Sequence, residues 1–200
     1  EVALAIYREV VVERLLAAIE PDDNAGEMPL LPRIERHRPI GTTAQVQFRT
    51  TKKTVVTTRS HISHVVLDST FEGSAAFHLE QLGFVSAYAK NDRLDFEIEY
   101  EHQEKRHRYR PDFLVRVDLG DGTDATLILE MKGLEDEQDR AKQAMAQKWV
   151  RAVNHHGGFG LWGHVVCKNP NLLPPMLAAW RAEAQASPRS RRSWAPPAPK

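Results

Sequence analysis

Apolar and polar residues alternate across the segment RYRPDFLVRVDLGDGTDATLILEMKG, residues 108–133. A period of two is typical of β-strands with one buried face, and the glycines and aspartates of GDGTD interrupt it with a turn. We therefore expect a β-hairpin whose turn is centred on Asp121. This register places apolar residues opposite one another on one face, pairing Phe113 with Leu129, Val115 with Leu127 and Val117 with Ala125.

Helical spacing of apolar residues predicts one helix before the hairpin and one after it. The first lies in STFEGSAAFHLEQLGF, with an N-cap at Ser69 or Thr70 and an end at Gly83. The second is EDEQDRAKQAMAQKWVRAVN, which has acids in its first turns and basic residues in its last, as the helix macrodipole favours. The predicted apolar faces are Ala75, Leu79 and Leu82 in the first helix and Ala141, Met145, Trp149 and Ala152 in the second.

Short strands account for much of the remaining apolar content. The β-branched residues of 45–68 predict two or three strands with a bend near Lys52 and Lys53. Further strands are expected at 85–90, at 94–102 and in LWGHVVC, and a short helix in LLPPMLAAWRAEAQA. From Phe71 onward the predicted order is helix, three or four antiparallel strands, helix and strand. This order indicates an α/β fold in which helices flank one mixed sheet.

The two ends of the chain differ in composition from its centre. Residues 1–20 have the apolar stripe of an amphipathic helix, and the prolines and glycines of 21–45 predict an irregular linker. Residues 186–200 are rich in Pro, Ser and Arg, which predicts a disordered basic tail. We expect one globular domain at 46–185. Because the chain begins without methionine, we expect it to be a piece cut from a longer protein.

Composition narrows the class of protein further. The chain has 200 residues, 42% of them hydrophobic, and 27 basic residues balance 27 acidic ones. The content of apolar residues is enough for one core, and the charge balance gives no overall basic field for nucleic acid. The single cysteine, Cys167, is expected to be a buried small hydrophobe in a cytoplasmic protein. No apolar run approaches the roughly 20 residues that a membrane helix needs.

The hairpin register also brings charged residues together. It places Asp112 opposite Glu130, with Cβ atoms roughly 4.5–5.5 Å apart, and Lys132 on the same face as Glu130. Facing carboxylates repel, and Mg²⁺ compensates such repulsion because it binds carboxylate oxygens and water. Two acids, a metal ion and a lysine are the groups needed to hydrolyse a phosphodiester. The alternative is that the acids are solvent-facing strand ends paired with Arg110 or Lys132.

Pro111-Asp112, seventeen further residues and Glu130-Met131-Lys132 match the PD-(D/E)xK signature of the restriction-endonuclease-like nucleases. Residues 40–170 resemble the C-terminal nuclease region of type III restriction enzyme Res subunits and related helicase-nucleases. The resemblance implies a restriction-endonuclease-like core that hydrolyses DNA endonucleolytically. It also implies that Asp112 and Glu130 bind Mg²⁺, or Mn²⁺ in its place, that the Met131 carbonyl adds a ligand, and that Lys132 positions the attacking water.

The same resemblance implies partners beyond this chain. Its sequence has no GxxxxGK[ST] loop, so ATP would act only through an upstream helicase domain of the same protein. DNA is the expected substrate, and a methylation or specificity subunit is a further expected partner. No membrane partner is expected.

A third acid is expected from the helix before the hairpin. Nucleases of this superfamily, archaeal Holliday-junction resolvases among them, often have a helical glutamate near the metal site. Glu72 is the first candidate for this role and Glu80 the second. Either is also compatible with a solvated helix surface. A dimeric junction resolvase, and hence a homodimer, therefore remains an alternative, as does a non-catalytic DNA-binding or docking module that retains the nuclease fold.

Basic residues near the hairpin are candidates for contacts with DNA phosphates. Arg108 and Arg110 lead into the first strand, and Lys142 lies early in the following helix. A solvated strand and helix surface is the alternative for all three. The histidines of His61-x-x-His64 and His155-His156 lack a second ligand pair at zinc spacing, and we expect surface positions. Trp149, Trp162 and Trp180 are expected to pack in the core.

Overall fold

The computed structural model describes residues 31–32, 41–133 and 136–186. The predicted N-terminal helix at 1–20, most of the linker at 21–45 and nearly all of the tail at 186–200 lie outside the described residues. The described elements, in chain order, are β1 (Thr54–Val56), β2 (His64–Val66), α1 (Thr70–Gln81), β3 (Val85–Lys90), β4 (Ile98–His102), β5 (Lys105–Tyr109), β6 (Phe113–Asp118), β7 (Asp124–Met131), α2 (Glu137–His156), β8 (Leu161–Cys167), a 3₁₀ turn (Pro170–Leu172) and α3 (Leu173–Ala186).

A four-stranded mixed sheet lies at the centre, in the order β3-β6-β7-β8. The first two pairings are antiparallel, whereas β8 runs parallel to β7 after the connection through α2. The predicted hairpin register is confirmed, since Phe113 pairs with Leu129, Val115 with Leu127 and Val117 with Ala125. The expectation of an α/β fold with one mixed sheet flanked by helices is likewise confirmed.

Helices cover both faces of this sheet, because alternate residues of its strands are apolar on both sides. On one face, Leu127 and Leu129 of β7 pack with α1 and α3. On the other face, Ile128 packs with α2 and with the β4–β5 hairpin. The predicted helical faces lie in these two clusters or beside them, except Ala152, which is buried outside both, and the three expected tryptophans also pack there. None of the described helices is long and apolar enough to span a bilayer.

Local signals in the sequence fix the ends of the helices. Ser69 caps α1 by accepting a hydrogen bond from the Glu72 backbone N–H, as one of the two expected cap residues. Asp136 and Asp139 form a reciprocal capping box at the start of α2. At the other end of α2, Gly157 adopts a left-handed conformation with φ 72°, which glycine accommodates without strain.

Two small hairpins accompany the sheet, and one of them differs from expectation. Strands β1 and β2 pair antiparallel after the expected bend at Lys52 and Lys53. The strand predicted at 94–102 begins only at Ile98 and pairs with β5, a strand that the sequence did not predict. Five strands rather than three or four therefore lie between α1 and α2. The turn that joins β4 to β5 holds Gln103 and Glu104 at positive φ, where Asn and Gly are the usual residues.

Candidate functional site

The strand ends of β6 and β7 bring Asp112 and Glu130 together. Phe113 pairs with Leu129, and Asp112 and Glu130 are the next residues outward on the two strands. The Met131 backbone N–H donates to Asp112 Oδ2 over 2.7 Å, which ties the Asp112 side chain to the end of β7. The pairing of Glu130 with Val166 of β8 fixes the other side of β7. We call Asp112 and Glu130 the carboxylate pair.

Neutral donors, not cations, bind the carboxylate pair directly. The Tyr109 hydroxyl donates to Glu130 Oε2 over 3.0 Å, and Tyr109 is itself buried. The Asp112 backbone amide also favours the ionised form of Glu130 and lowers its pKa. Within the described residues, neither member of the pair forms a salt bridge. Two acidic side chains at neighbouring strand ends thus have no direct counter-ion among the residues that the structure describes.

The pKa values of the pair reflect this arrangement. Burial raises the pKa of Asp112 to about 6; the Met131 amide opposes the rise and the Glu72 charge adds to it. Burial and the Asp112 charge raise the pKa of Glu130 to about 7, against the Tyr109 hydrogen bond and the Lys142 charge. Desolvation and like-charge repulsion both disfavour the ionised form of a carboxyl group. A bound divalent cation would remove both effects.

Lys132 and Lys142 lie beside the pair, and both bind Asp139. Lys132 Nζ is 2.9 Å from Asp139 Oδ2, and Lys142 Nζ is 3.0 Å from Asp139 Oδ1. Asp139 is 4% exposed. Although burial opposes ionisation, hydrogen bonds from Lys132, the Asp136 backbone and Lys142 keep the pKa of Asp139 well below its usual range. In turn, the Asp139 carboxylate raises the pKa of Lys132, so this lysine is a cation at neutral pH.

The structure separates the two helical glutamates that the sequence left as alternatives. Glu72 forms an ion pair with the buried Lys90 over 2.7 Å, and its charge acts on Asp112. Glu80 instead accepts hydrogen bonds from the Thr58 backbone over 3.0 Å and from the Tyr88 hydroxyl over 2.9 Å. Of the two, Glu72 is the one whose charge reaches the carboxylate pair, whereas Glu80 anchors the loop after β1.

The predicted arginines lie on the solvent side of β5 and its extension. Both Arg108 and Arg110 form salt bridges with Glu97, and their side chains are 68% and 66% exposed. Tyr109, between them, points inward to Glu130 because side chains alternate along a strand. The structure therefore brings Lys142, but neither arginine, into the contacts around the carboxylate pair.

Two residues of the site were missed by sequence reasoning. Asp139 was assigned to the acidic first turn of a helix, and Tyr109 to the lead-in of the hairpin. A signal existed for Asp139, because its spacing from Asp136 is that of a capping box at the helix start. Tyr109 had no comparable signal, since its contact with Glu130 spans 21 residues of sequence and requires β5.

The residues present fit a hard divalent cation such as Mg²⁺ or Mn²⁺. Such ions prefer carboxylate and carbonyl oxygens and retain several waters, so two carboxylates are a sufficient protein contribution. Asp112 and Glu130 provide these oxygens, and Met131 provides its amide to orient Asp112. In the part of the chain that the structure describes, no three His, Cys, Asp or Glu side chains are grouped as a metal site. Any further ligands would therefore be backbone oxygens or water.

The remaining chemical candidates have structural contacts of their own. The Cys167 thiol is buried and donates to the Asn169 carbonyl over 3.1 Å, as expected for a core cysteine. His61 Nδ1 lies 3.2 Å from the Thr43 hydroxyl, and His64 Nδ1 lies 2.9 Å from that of Ser63. These contacts give no zinc ligand set.

Comparisons of the chain with family models, with curated proteins and with solved structures find no match.

Proposed function

We propose that the chain is a metal-dependent endonuclease domain that hydrolyses DNA phosphodiester bonds. The observation that carries this proposal is the carboxylate pair at the adjacent ends of β6 and β7, half-buried, without a direct salt bridge among the described residues, and with Lys132 two residues beyond Glu130. Structural ion-pair networks neutralise their buried acids with basic side chains. Among the described residues, no basic side chain forms a salt bridge with either acid, although the charges of Lys90, Lys132 and Lys142 act on them from further away. Acids that bind a cation likewise lack a direct basic partner.

The arrangement of elements supports a restriction-endonuclease-like core. The mixed sheet β3-β6-β7-β8 carries the two acids on its central hairpin, and α2 follows directly after the lysine. Glu72 on α1 adds a third acid at the same end of the sheet. These features agree with the PD-(D/E)xK pattern that the sequence contains.

The roles of the residues follow from their positions. A bound Mg²⁺ would polarise the scissile phosphate and lower the pKa of a bound water. Asp112 and Glu130 would hold this ion. The Lys132 ammonium, a cation with three N–H donors, would orient the attacking water and stabilise the negative charge that develops on the phosphate oxygens. The Tyr109 hydroxyl fixes the Glu130 carboxylate.

The charge distribution supports a module that depends on other parts of a larger assembly to bind DNA. Basic and acidic residues number 27 each, and the exposed Arg108 and Arg110 are paired with Glu97. Phosphate contacts would come from Lys142 near the site and from a partner domain. We propose an upstream ATP-dependent helicase domain of the type III restriction kind as this partner, with the present chain as the cutting module.

Cleavage of supercoiled plasmid tests the proposal. The chain is incubated with plasmid and Mg²⁺ or Mn²⁺, alone and together with the ATP-driven helicase part of the protein. We expect nicked and linear products, and a loss of about 100-fold or more in rate for Asp112→Asn and for Lys132→Met. The matched control is Asp124→Asn, which removes a carboxylate at the opposite end of the same hairpin.

Cleavage that survives in both site variants, or that continues in the presence of EDTA, would exclude the assignment. DNA binding without cleavage under all of these conditions would support the alternative of a non-catalytic DNA-binding module. Equal losses in Asp124→Asn and Asp112→Asn would mean that general destabilisation of the hairpin causes the effect.

A further inference from the structure

Asp139 is a buried carboxylate that joins two elements around the carboxylate pair. Its Oδ2 accepts from Lys132 Nζ, which follows β7, and from the Asp136 backbone N–H over 3.0 Å. Its Oδ1 accepts from Lys142 Nζ, one turn further along α2. The two ammonium groups therefore lie close together, because each binds a different oxygen of the same carboxylate. Few acids are this deeply buried unless they are paired, and Asp139 is paired twice.

Both lysines also lie within electrostatic reach of Glu130. The Glu130 charge acts on Lys132, and the Lys142 charge acts on Glu130. An ammonium on a flexible four-carbon side chain moves readily to the nearest uncompensated anion. Without Asp139, the acids left to attract Lys132 would be Asp136 and Glu130, and Lys142 would be left with Glu130. A lysine bound at Glu130 would occupy the position of a metal ion and repel it.

We infer that Asp139 is a positioning residue that holds Lys132 and Lys142 off the carboxylate pair and so keeps Asp112 and Glu130 open to a divalent cation. This inference rests on the proposed function, since it assigns Asp139 a role in the same site. In this role Asp139 keeps the lysines apart from the carboxylate pair. The acids then remain available to the metal ion, and the lysines remain available to phosphate oxygens.

The helix cap provides a control for a purely structural role. Asp136 and Asp139 share one capping box, in which the Asp139 N–H donates to Asp136 Oδ1 over 2.8 Å. Of these two aspartates, only Asp139 forms salt bridges with Lys132 and Lys142. Asp136→Ala therefore weakens the start of α2 without releasing Lys132 or Lys142. Asp139→Asn keeps a side-chain oxygen for the cap but loses the charge that binds the two ammonium groups.

Mn²⁺ binding, measured by electron paramagnetic resonance of the free ion, tests the inference without any need for catalysis. We expect Asp139→Asn to weaken Mn²⁺ binding about 10-fold or more, as is usual when a residue that supports metal ligands is removed. Asp136→Ala should change the affinity by less than about 2-fold, because Asp112, Glu130 and the salt bridges of Asp139 with both lysines are kept and only the more distant Asp136 charge is lost. Adding Lys142→Met to Asp139→Asn should recover much of the affinity, because the released cation is then absent.

Each result discriminates. Unchanged Mn²⁺ affinity in Asp139→Asn overturns the inference while leaving the proposed function intact, provided that Asp112→Asn abolishes binding. Equal losses in Asp136→Ala and Asp139→Asn, or a double variant that recovers nothing, overturn it in favour of a structural role. If the unaltered chain binds no Mn²⁺, the inference and the proposed function both fail.

Discussion

Partial burial of two neighbouring acids makes the ionised carboxylate pair unfavourable in the folded chain. The Asp112 charge disfavours ionisation of Glu130, the Glu72 charge disfavours ionisation of Asp112, and the neutral donors compensate this only in part. A hydrogen bond from an amide or a phenol stabilises a carboxylate, but a full opposite charge stabilises it more. At the scale of single residues, the two ionised carboxylates without a bound cation therefore lower the stability of the folded state.

This cost predicts how stability depends on pH. The pKa values of Asp112 and Glu130 are raised to about 6 and about 7, above the roughly 4 of the unfolded chain. The folded state then holds more protons, so the contribution of these groups is most favourable below about pH 4 and is lost as pH rises to about 7. We expect Asp112→Asn, without divalent ions, to increase the free energy of unfolding at pH 8 by on the order of 1–3 kcal/mol.

Urea unfolding at pH 8 and pH 4.5 measures this effect. The gain from Asp112→Asn should shrink towards zero at the lower pH, where the folded carboxyl is already neutral. Asn retains an oxygen to accept the Met131 N–H, so the local geometry is preserved. A variant that is less stable than the parent by the same amount at both pH values would contradict the prediction.

At the scale of secondary structure, the sequence predicted an element correctly where its alternation or capping pattern was pronounced. The alternation in β6 and β7 specified their register, because a slip by one residue would turn every apolar side chain to the wrong face. Capping residues specified the starts of α1 and α2. The β4–β5 hairpin was missed because its Gln-Glu turn adopts positive φ without the usual Asn or Gly. Its stability comes from packing on α2 and on the sheet.

Close packing between β8 and α3 gives a prediction for these elements. A Cβ on Gly163 would overlap the Trp180 indole, at 2.6 Å from its Nε1, so the strand and the helix could not keep their present distance. We expect Gly163→Ala to reduce the free energy of unfolding by about 1–3 kcal/mol through overpacking. Gly83→Ala is the matched control, because a Cβ there meets nothing within 4 Å.

Chemical denaturation of both variants checks this expectation. Combining Gly163→Ala with Trp180→Leu should reverse part of the loss caused by the overlap, beyond the sum of the separate changes. If Gly163→Ala and Gly83→Ala are equally stable, the close contact between β8 and α3 is refuted.

At the scale of the whole molecule, the site forms where separate layers meet. Strand β5 contributes Tyr109, the central hairpin contributes the carboxylate pair, α1 contributes Glu72, and α2 contributes Asp139 and Lys142. These residues come from four separate parts of the fold, so they come together only when the sheet, the β4–β5 hairpin, α1 and α2 have packed against one another. Binding of a divalent cation at this position should therefore stabilise the entire domain.

Thermal unfolding with Mg²⁺ measures this coupling. At pH 8 and a Mg²⁺ concentration about ten times its dissociation constant, we expect a gain of about 1.4 kcal/mol, because the ion binds only the folded state. Asp112→Asn should remove the gain, and Asp124→Asn should retain it. Equal stabilisation of all three proteins would indicate a general salt effect instead.

The sequence by itself determined the hairpin, its register and the adjacency of Asp112 and Glu130, because strand alternation is a local property and its consequences follow from geometry. It also specified the two helices that follow the periodicity of their apolar residues. Only the tertiary structure decided that Glu72 rather than Glu80 acts on Asp112, that Arg108 and Arg110 pair with Glu97, and that Asp139 pairs with two lysines. These features depend on how deeply each charge is buried and which distant charge lies beside it, and neither quantity is encoded in the spacing of residues along the chain.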